Sequence, residues 1–331
     1  MSDVAQLADV SVKTVSNVLS GYPHVRDTTR TRVLDAVERL DYRLNVSARN
    51  LRSGRTRMIG LALPELRLPY FAELADSVIL AAERRGLTVL IEQTNADRER
   101  ELDVLHGPRR HLTDGLIFSP LALGQQDRER FKVDVPVVLL GERMFGGPID
   151  HVTMDNVNAA QAATEHLIGL GRRRIAVIGA HEGEQVGTAA LRVQGYAQAL
   201  AAAGIELDPA LLGEAGPWHR DTGAQAMRAL LDSGTEIDAV FALNDMLGLG
   251  ALHVLHERRI DVPGQIAVIG FDDVDEASYS SPPMSSVSPG RVQIAETAVD
   301  LLCARIAGSG PAEPVTYRAH YEIAVRGSTL G

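Results

Sequence analysis

From Arg57 onward the chain alternates short, unbroken apolar runs with stretches of helical periodicity, and few folds accept that pattern. MIGLALP (58–64), TVLIEQT (88–94), DGLIFSP (114–120) and PVVLLGE (136–142) form one series. RIAVIGA (174–180), DAVFALN (238–244) and IAVIGFD (266–272) form a second. Apolar runs of this length read as buried strands. Between them the spacing predicts helices over 70–85, 156–170, 191–203, 222–231 and 245–258, with a polar stretch near 97–111. Strands separated by helices imply parallel sheets covered on both faces, and two series imply two similar lobes, each doubly wound.

Ligands of open parallel sheets bind beyond the carboxyl ends of the strands. Here those ends are polar: Asn244 and Asp245 follow VFAL, and Asp272 and Asp273 follow AVIGF. Asp245 and Asp273 fit a helix cap as well as a ligand contact.

At 331 residues and 45% apolar content the chain is long enough for two or three folding units with a sizeable core. No apolar run reaches bilayer length, the first residues lack a secretion-signal pattern, and the single Cys303 excludes an internal disulfide. These features predict a soluble protein of the reducing cytoplasm with no membrane partner. Charge is unevenly spread. Residues 1–57 carry ten Lys/Arg against six Asp/Glu, a net of +4, which leaves −14 on the rest of a chain whose total is −10. A basic head on an acidic body fits contact with polyanions, and also fits chance fluctuation in a small window.

The head reads as three short helices, about 2–8, 12–19 and 28–41. Ser11 is placed to cap the second. Val4, Leu7, Val10, Val15 and Val18 are the apolar positions of the first two, and Val33, Ala36, Val37 and Leu40 share one face of the third. Val12, Lys13, Ser16 and Asn17 then face outward on the second helix. Two helices joined by a tight turn, with a polar outer face, form a helix-turn-helix; a small bundle with a solvated face is the other reading. In the first reading Asn17 can pair with adenine, Lys13 supplies a charge, and Thr14 and Ser16 reach phosphates.

The string DVAQLADVSVKTVSNVLSG closely resembles the start of the LacI/GalR family of bacterial transcriptional regulators. Asn45, Ala48, Arg49, Leu51, Gly54 and Thr56 resemble that family's N-x-x-A-R-x-L-x-x-G-x-T hinge, and ALNDMLGLGALHVL and VIGFDDVDEASYSSPP resemble its effector core. The resemblance implies an all-α helix-turn-helix headpiece over 1–44 and a hinge helix and linker over 45–56. It also implies an α/β two-lobed core over 57–331, like periplasmic binding proteins, with two doubly wound parallel sheets. Lobe one would hold about 57–157 and 288–318, and lobe two about 158–287 and 319–331. The implied partners are double-stranded operator DNA, a second copy of the chain and a small effector such as a sugar, with no cofactor and no metal.

Carried onto this chain, the family pattern puts Val12, Lys13 and Asn17 at base-reading positions and Thr14, Ser16 and His24 near the DNA backbone. Asn45 caps a hinge helix of about two turns, over 46–53. A helix this short is unstable alone, because nucleation costs more than so few bonds return. The resemblance therefore implies that two hinges order together on DNA, with Leu51 wedged between base pairs in the minor groove. Arg49, Arg52, Arg55 and Arg57 would add phosphate attraction. In the core, Arg192, Asn244 and Asp272 match polar effector contacts, Tyr70 and Phe71 an aromatic pair, and Trp218 a ring that stacks on a sugar. Tyr70 and Trp218 fit plain packing equally well. The chain departs from the pattern at Asp9, where a turn glycine is usual. Arg26 replaces the usual cap of the third helix, so Asp27 is expected to cap instead. Leu44 stands where a proline is usual, and the chain starts a few residues late.

Two other classes compete. A solute-binding protein of a sugar transporter would share the core, but the basic headpiece and missing export signal oppose it. An enzyme on a doubly wound fold lacks support, since no G-x-G-x-x-G follows a strand and neither a phosphate-binding loop nor G-x-S-x-G occurs. His253 and His256 sit one helical turn apart but read as surface residues. No heptad run follows Ser328, so a coiled-coil tetramer is not expected. A phosphate-anchored headpiece makes operator affinity fall steeply with salt, which a fluorescence titration between 50 and 200 mM salt checks (about 10³-fold or more for six or more phosphate contacts). A flat response would sink the phosphate-anchored reading.

Overall fold

The computed structural model describes residues 1–19, 22–42 and 55–330, and the chain divides into two compact units, Met1–Thr56 and Arg57–Gly331. The expected hinge over 46–53, with Asn45, Ala48, Arg49 and Leu51, lies outside the described residues.

The first unit holds α1 (Ser2–Leu7), α2 (Val12–Leu19) and α3 (Asp27–Arg39). The Ser11 hydroxyl accepts the Thr14 N–H at 3.1 Å, capping α2. Asp9 turns the chain with a φ of +50°, a left-handed conformation that Asp tolerates better than most residues. Val4, Val15 and Val33 are fully buried with Val18 and Ala36 around them. Two expected core positions are exposed instead, Leu7 at 41% and Leu40 at 43%. The buried stripe of α1 runs through Val4, Ala5 and Ala8, so Leu7 faces away, and α3 ends at Arg39, which takes Leu40 off its inner face. Nor is Asp27 the cap of α3: Arg26 occupies that position without a side-chain bond, and Asp27 lies in the first turn, where its charge favours the helix dipole.

The second unit begins with β1 (Met58–Leu63), α4 (Pro69–Glu83), β2 (Thr88–Gln93), α5 (Arg98–His106), β3 (Gly115–Phe118), β4 (Val137–Leu140) and β5 (Asp150–Met154). After α6 (Asn156–Gly169) come β6 (Ile175–Ala180), α7 (Thr188–Ala202), β7 (Leu212–Glu214), α8 (Arg220–Asp232), β8 (Ala239–Ala242), α9 (Asp245–Glu257), β9 (Ala267–Phe271), the short α10 (Asp275–Ser278) and β10 (Ser285–Ser288). The chain then runs through α11 (Arg291–Ala307), β11 (Thr316–Ala319) and β12 (Glu322–Ala324). One sheet has the order β11-β5-β4-β3-β1-β2, the other β12-β10-β9-β8-β6-β7. Pairing is parallel except between β10 and β12. β1, β3, β4, β6, β8 and β9 are almost wholly buried, as unbroken apolar runs require. β2 is not: it sits at a sheet edge with Ile91 40% exposed.

The chain passes between lobes three times, at Asp155, at Pro289-Gly290 and at His320-Tyr321. The last two crossings touch. Gly290 has a φ of +73°, and a Cβ there would lie 2.5 Å from the His320 carbonyl oxygen. Gln293 Oε1 accepts the His320 N–H at 2.9 Å, fastening the same contact. Gly290→Ala is expected to destabilise the core by about 1–3 kcal/mol through strain and overlap. A thermal melt checks this, and an unchanged Tm would mean the crossings are not packed as described.

Candidate functional site

On the headpiece, α2 gives one face to the core and the other to solvent. Val15 and Val18 are buried, Val12 is 39% exposed, Lys13 is open, and Thr14, Ser16 and Asn17 are half-buried. An exposed valine beside a lysine and an amide suits the major groove, where valine methyls meet thymine methyls and an amide pairs with adenine. His24 is exposed in the turn before α3, its ring edge-on to Tyr22 with centroids 5.4 Å apart. Arg30 Nη2 donates to the Tyr22 carbonyl at 2.9 Å and holds that turn.

In the core unit the strand ends converge on a cleft of about 660 Å³ walled by both lobes. Ser119 follows β3, Glu142 lies just past β4, His181 follows β6, Asn244 lies just past β8 and Asp272 follows β9. Tyr70, Phe71, Arg192, Trp218, Asn244 and Asp272 all line it.

Arg192 is 2% exposed in the middle of α7. Its Nε donates to Asn156 Oδ1 at 2.8 Å, and its Nη1 to the Leu243 carbonyl. Its guanidinium carbon lies 3.4 Å from the centre of the Phe271 ring, and Asp272 Oδ1 stands 3.7 Å from Nη2. Burial lowers the guanidinium pKa, opposed by the charges of Asp272 and Glu142. Burial pushes the Asp272 carboxyl up to about 7; Arg192 and Arg291 oppose that rise, and Glu142 and Glu73 add to it. Near neutral pH, Asp272 therefore changes between acceptor-only and donor-capable forms.

Tyr70 and Trp218 each have a packing role and a face on the cleft. Trp218 Nε1 donates to the Gly179 carbonyl at 3.1 Å, which fixes the indole plane. Tyr70 and Phe71 meet edge-on at 5.3 Å. Burial, then the charges of Asp272 and Glu142, push the Tyr70 phenol up, so it stays protonated. Asn244 is largely committed to structure: Oδ1 accepts the Leu247 N–H at 2.9 Å as the cap of α9, and Nδ2 donates to the Trp218 carbonyl at 3.2 Å. Asp245 and Asp273 are scaffolding. Asp245 is fully buried and accepts from the Ser286 hydroxyl and the Val274 N–H, and Asp273 pairs with Arg326 at 2.6 Å. His253 has an acidic neighbour the sequence reading missed, Glu257 at 3.2 Å, one turn on.

Glu142 went unnoticed in the sequence. It is 7% exposed, with Oε1 accepting from Thr153 at 3.0 Å in its own lobe and Oε2 from Thr188 at 2.8 Å in the other. The signal was present: Glu142 stands at the polar end of PVVLLGE, as Asp272 does at the end of AVIGF. Further bonds join the lobes around the cleft. Arg143 Nη1 donates to the Val186 carbonyl at 3.1 Å, and the Asp275 N–H donates to Glu73 Oε1 at 3.0 Å. His219 lies 2.9 Å from Glu65 and 2.7 Å from Arg67.

Residues 1–45 match the family described as bacterial regulatory proteins, lacI family, and residues 164–329 match the periplasmic binding protein-like domain. The regulator CelR of Thermobifida fusca is 36% identical over 98% of this chain and 96% of its own. The chain belongs to the LacI family of bacterial regulatory proteins. A solved complex of a transcriptional regulator CelR with cellobiose has a TM-score of 0.73 and 32% identity, covering 98% of each chain. The lac repressor dimer bound to operator and the anti-inducer ONPF has a TM-score of 0.86 and 25% identity, covering 99% of this chain and 98% of that one. This LacI-family protein is thus a DNA-binding transcriptional regulator, and its relatives regulate transcription instead of turning over a substrate.

Within this regulator's core, removing the Arg192 cation leaves Asp272 buried without its main partner. Arg192→Met is expected to destabilise by about 3–5 kcal/mol at pH 8, where the carboxyl must either stay charged without its partner or draw a proton from alkaline solvent. The loss shrinks at pH 5, below the raised pKa, because Asp272 then takes a proton. Melts of both proteins at the two pH values check this, and an equal loss at both would show that the two side chains are not coupled.

Proposed function

We propose that this LacI-family regulator is a repressor that binds a pseudo-palindromic operator as a homodimer and is controlled by a small sugar in its cleft. One observation carries the reading: a helix-turn-helix and a cleft between two lobes, holding a guanidinium, carboxylates and aromatic rings, lie on one chain. Guanidinium and carboxylate groups bond sugar hydroxyls, and an indole or phenol face covers the apolar side of a pyranose ring. The solved CelR complex contains cellobiose, and the solved lac repressor is a dimer on operator, which supports both halves of the proposal. Exposed apolar side chains at Leu80 (48%), Ile91 (40%) and Tyr279 (81%) supply surface for self-association. Among the described residues no helix is long and apolar enough to cross a membrane, and a DNA target requires a cytoplasmic location.

In this reading residues 1–44 carry Val12, Lys13 and Asn17 to base edges, with Thr14, Ser16 and His24 at the backbone. Residues 45–56, with Asn45, Ala48, Arg49 and Leu51, form the hinge. Tyr70, Phe71, Arg192, Trp218, Asn244 and Asp272 surround the effector. Occupancy of the cleft favours one orientation of the lobes, and the first lobe carries the hinge, so effector and operator affinities change each other by the same factor. The solute-binding alternative does not account for the match of residues 1–45 to a DNA-binding family.

The test is to sequence genomic fragments retained by the purified protein, then titrate the recovered operator with and without saccharides found near those genes. A change of fivefold or more in operator affinity is expected; no change with a sugar shown to occupy the cleft would overturn the proposed control. Leu51→Ala is expected to weaken operator binding at least tenfold while leaving sugar affinity intact, as anisotropy and calorimetry on one preparation would show. Unchanged operator affinity would remove the wedge from the account.

A further inference from the structure

We propose that the cleft selects an uncharged saccharide over its phosphorylated or carboxylated counterpart, and that Glu142 is the residue enforcing the choice. This deepens the reading of the cleft as an effector site and rests on it. Within the cleft the Arg192 cation faces two acidic side chains, Glu142 and Asp272, while Arg291, outside the lining, donates to the Asp272 carbonyl and pairs with Glu73. The cation is partly engaged: Nε bonds the Asn156 side chain, Nη1 the Leu243 carbonyl and Nη2 the Met154 sulfur at 3.4 Å, and its face covers Phe271. The other arginine of the lining, Arg143, donates Nη1 to the Val186 carbonyl, and its buried Nε has no hydrogen-bond partner among the described residues. At the rim, Arg67 and His219 stand against Glu65, and His181 against Glu184, so each of these basic side chains already has a carboxylate partner.

The phosphate or carboxylate of a charged sugar would bring only acceptors into this environment. Its charge would sit beside Glu142 in a low-dielectric enclosure, where the Arg192 guanidinium already serves Asn156, the Leu243 carbonyl and Asp272. A polyol is the better match, because each hydroxyl both donates and accepts. Glu142 accepts one threonine hydroxyl on each oxygen, Thr153 from lobe one and Thr188 from lobe two, and each oxygen keeps a second lone pair for a donor. A sugar hydroxyl satisfies that requirement and a phosphate oxygen does not. The same bond to Thr188 sets the Glu142 carboxyl at the start of α7, where a helix N-terminus favours negative charge.

The test compares matched pairs on the full-length protein by calorimetry and thermal shift: cellobiose with cellobionate, lactose with lactobionate, trehalose with trehalose 6-phosphate, glucose with glucose 6-phosphate. An uncharged member is expected to bind, with its charged counterpart at least tenfold weaker. Glu142→Gln, with its fold checked by circular dichroism, is expected to narrow that gap severalfold. The wild-type pairs carry the test without the variant should the variant fold poorly. A charged member that binds as tightly as its neutral partner, a panel with no neutral binder, or a folded Glu142→Gln protein with an unchanged gap each overturns the inference. Operator titrations separate the two readings. A charged sugar that binds as tightly as its neutral partner and shifts operator affinity removes this inference and keeps the proposed function. A neutral sugar that binds but leaves operator affinity unchanged does the reverse.

Discussion

A parallel strand cannot reach its neighbour through a tight turn, so the chain must travel back along the face of the sheet before pairing again. Both sheets obey this rule, mostly with helices as the return path, and their parallel strands therefore end on the same side. Backbone and side-chain polar groups collect at those ends because the apolar run has stopped and the next helix has not begun. Two such ends facing each other make a polar pocket lined by apolar walls. The cleft is a consequence of strand direction before it is a consequence of any particular residue.

What that pocket does with its charges follows from burial. Arg192, Asp272 and Glu142 are all less than a tenth exposed, and buried charges persist only where they are paired and hydrogen-bonded. The network meets that condition through Asn156, the Leu243 carbonyl and two threonines. It does so without spare positive charge. Asp272, with its pKa raised to about 7, is the member most open to adjustment by a ligand.

Much of this was legible in the residues. The seven long apolar runs are strands, because nothing but a doubly covered sheet gives such runs a use. β5, β7, β10, β11 and β12 were not legible: LGE and EIA are three residues long, and DHVTM, SSVS and TYRA mix polar and apolar positions. Their strand state comes from the sheet that receives them. The helix α11 was missed although it spans 17 residues. Leu7 and Leu40 were misplaced because helices of one to three turns end before periodicity can identify a face. Among the cleft residues, Arg192 and Trp218 came from family resemblance, since a lone arginine or tryptophan within a helical or loop stretch carries no local signal. Glu142 had such a signal and needed only the rule already applied to Asn244 and Asp272.

The three crossings at Asp155, Pro289-Gly290 and His320-Tyr321 give the core an unusual covalent economy. Each lobe is assembled from segments distant in the chain: β11 and β12, the last strands among the described residues, close the margins of opposite sheets. Neither sheet is whole until a segment from the far end of the core has joined it. A protease that nicks one crossing leaves two others to keep the halves from drifting apart.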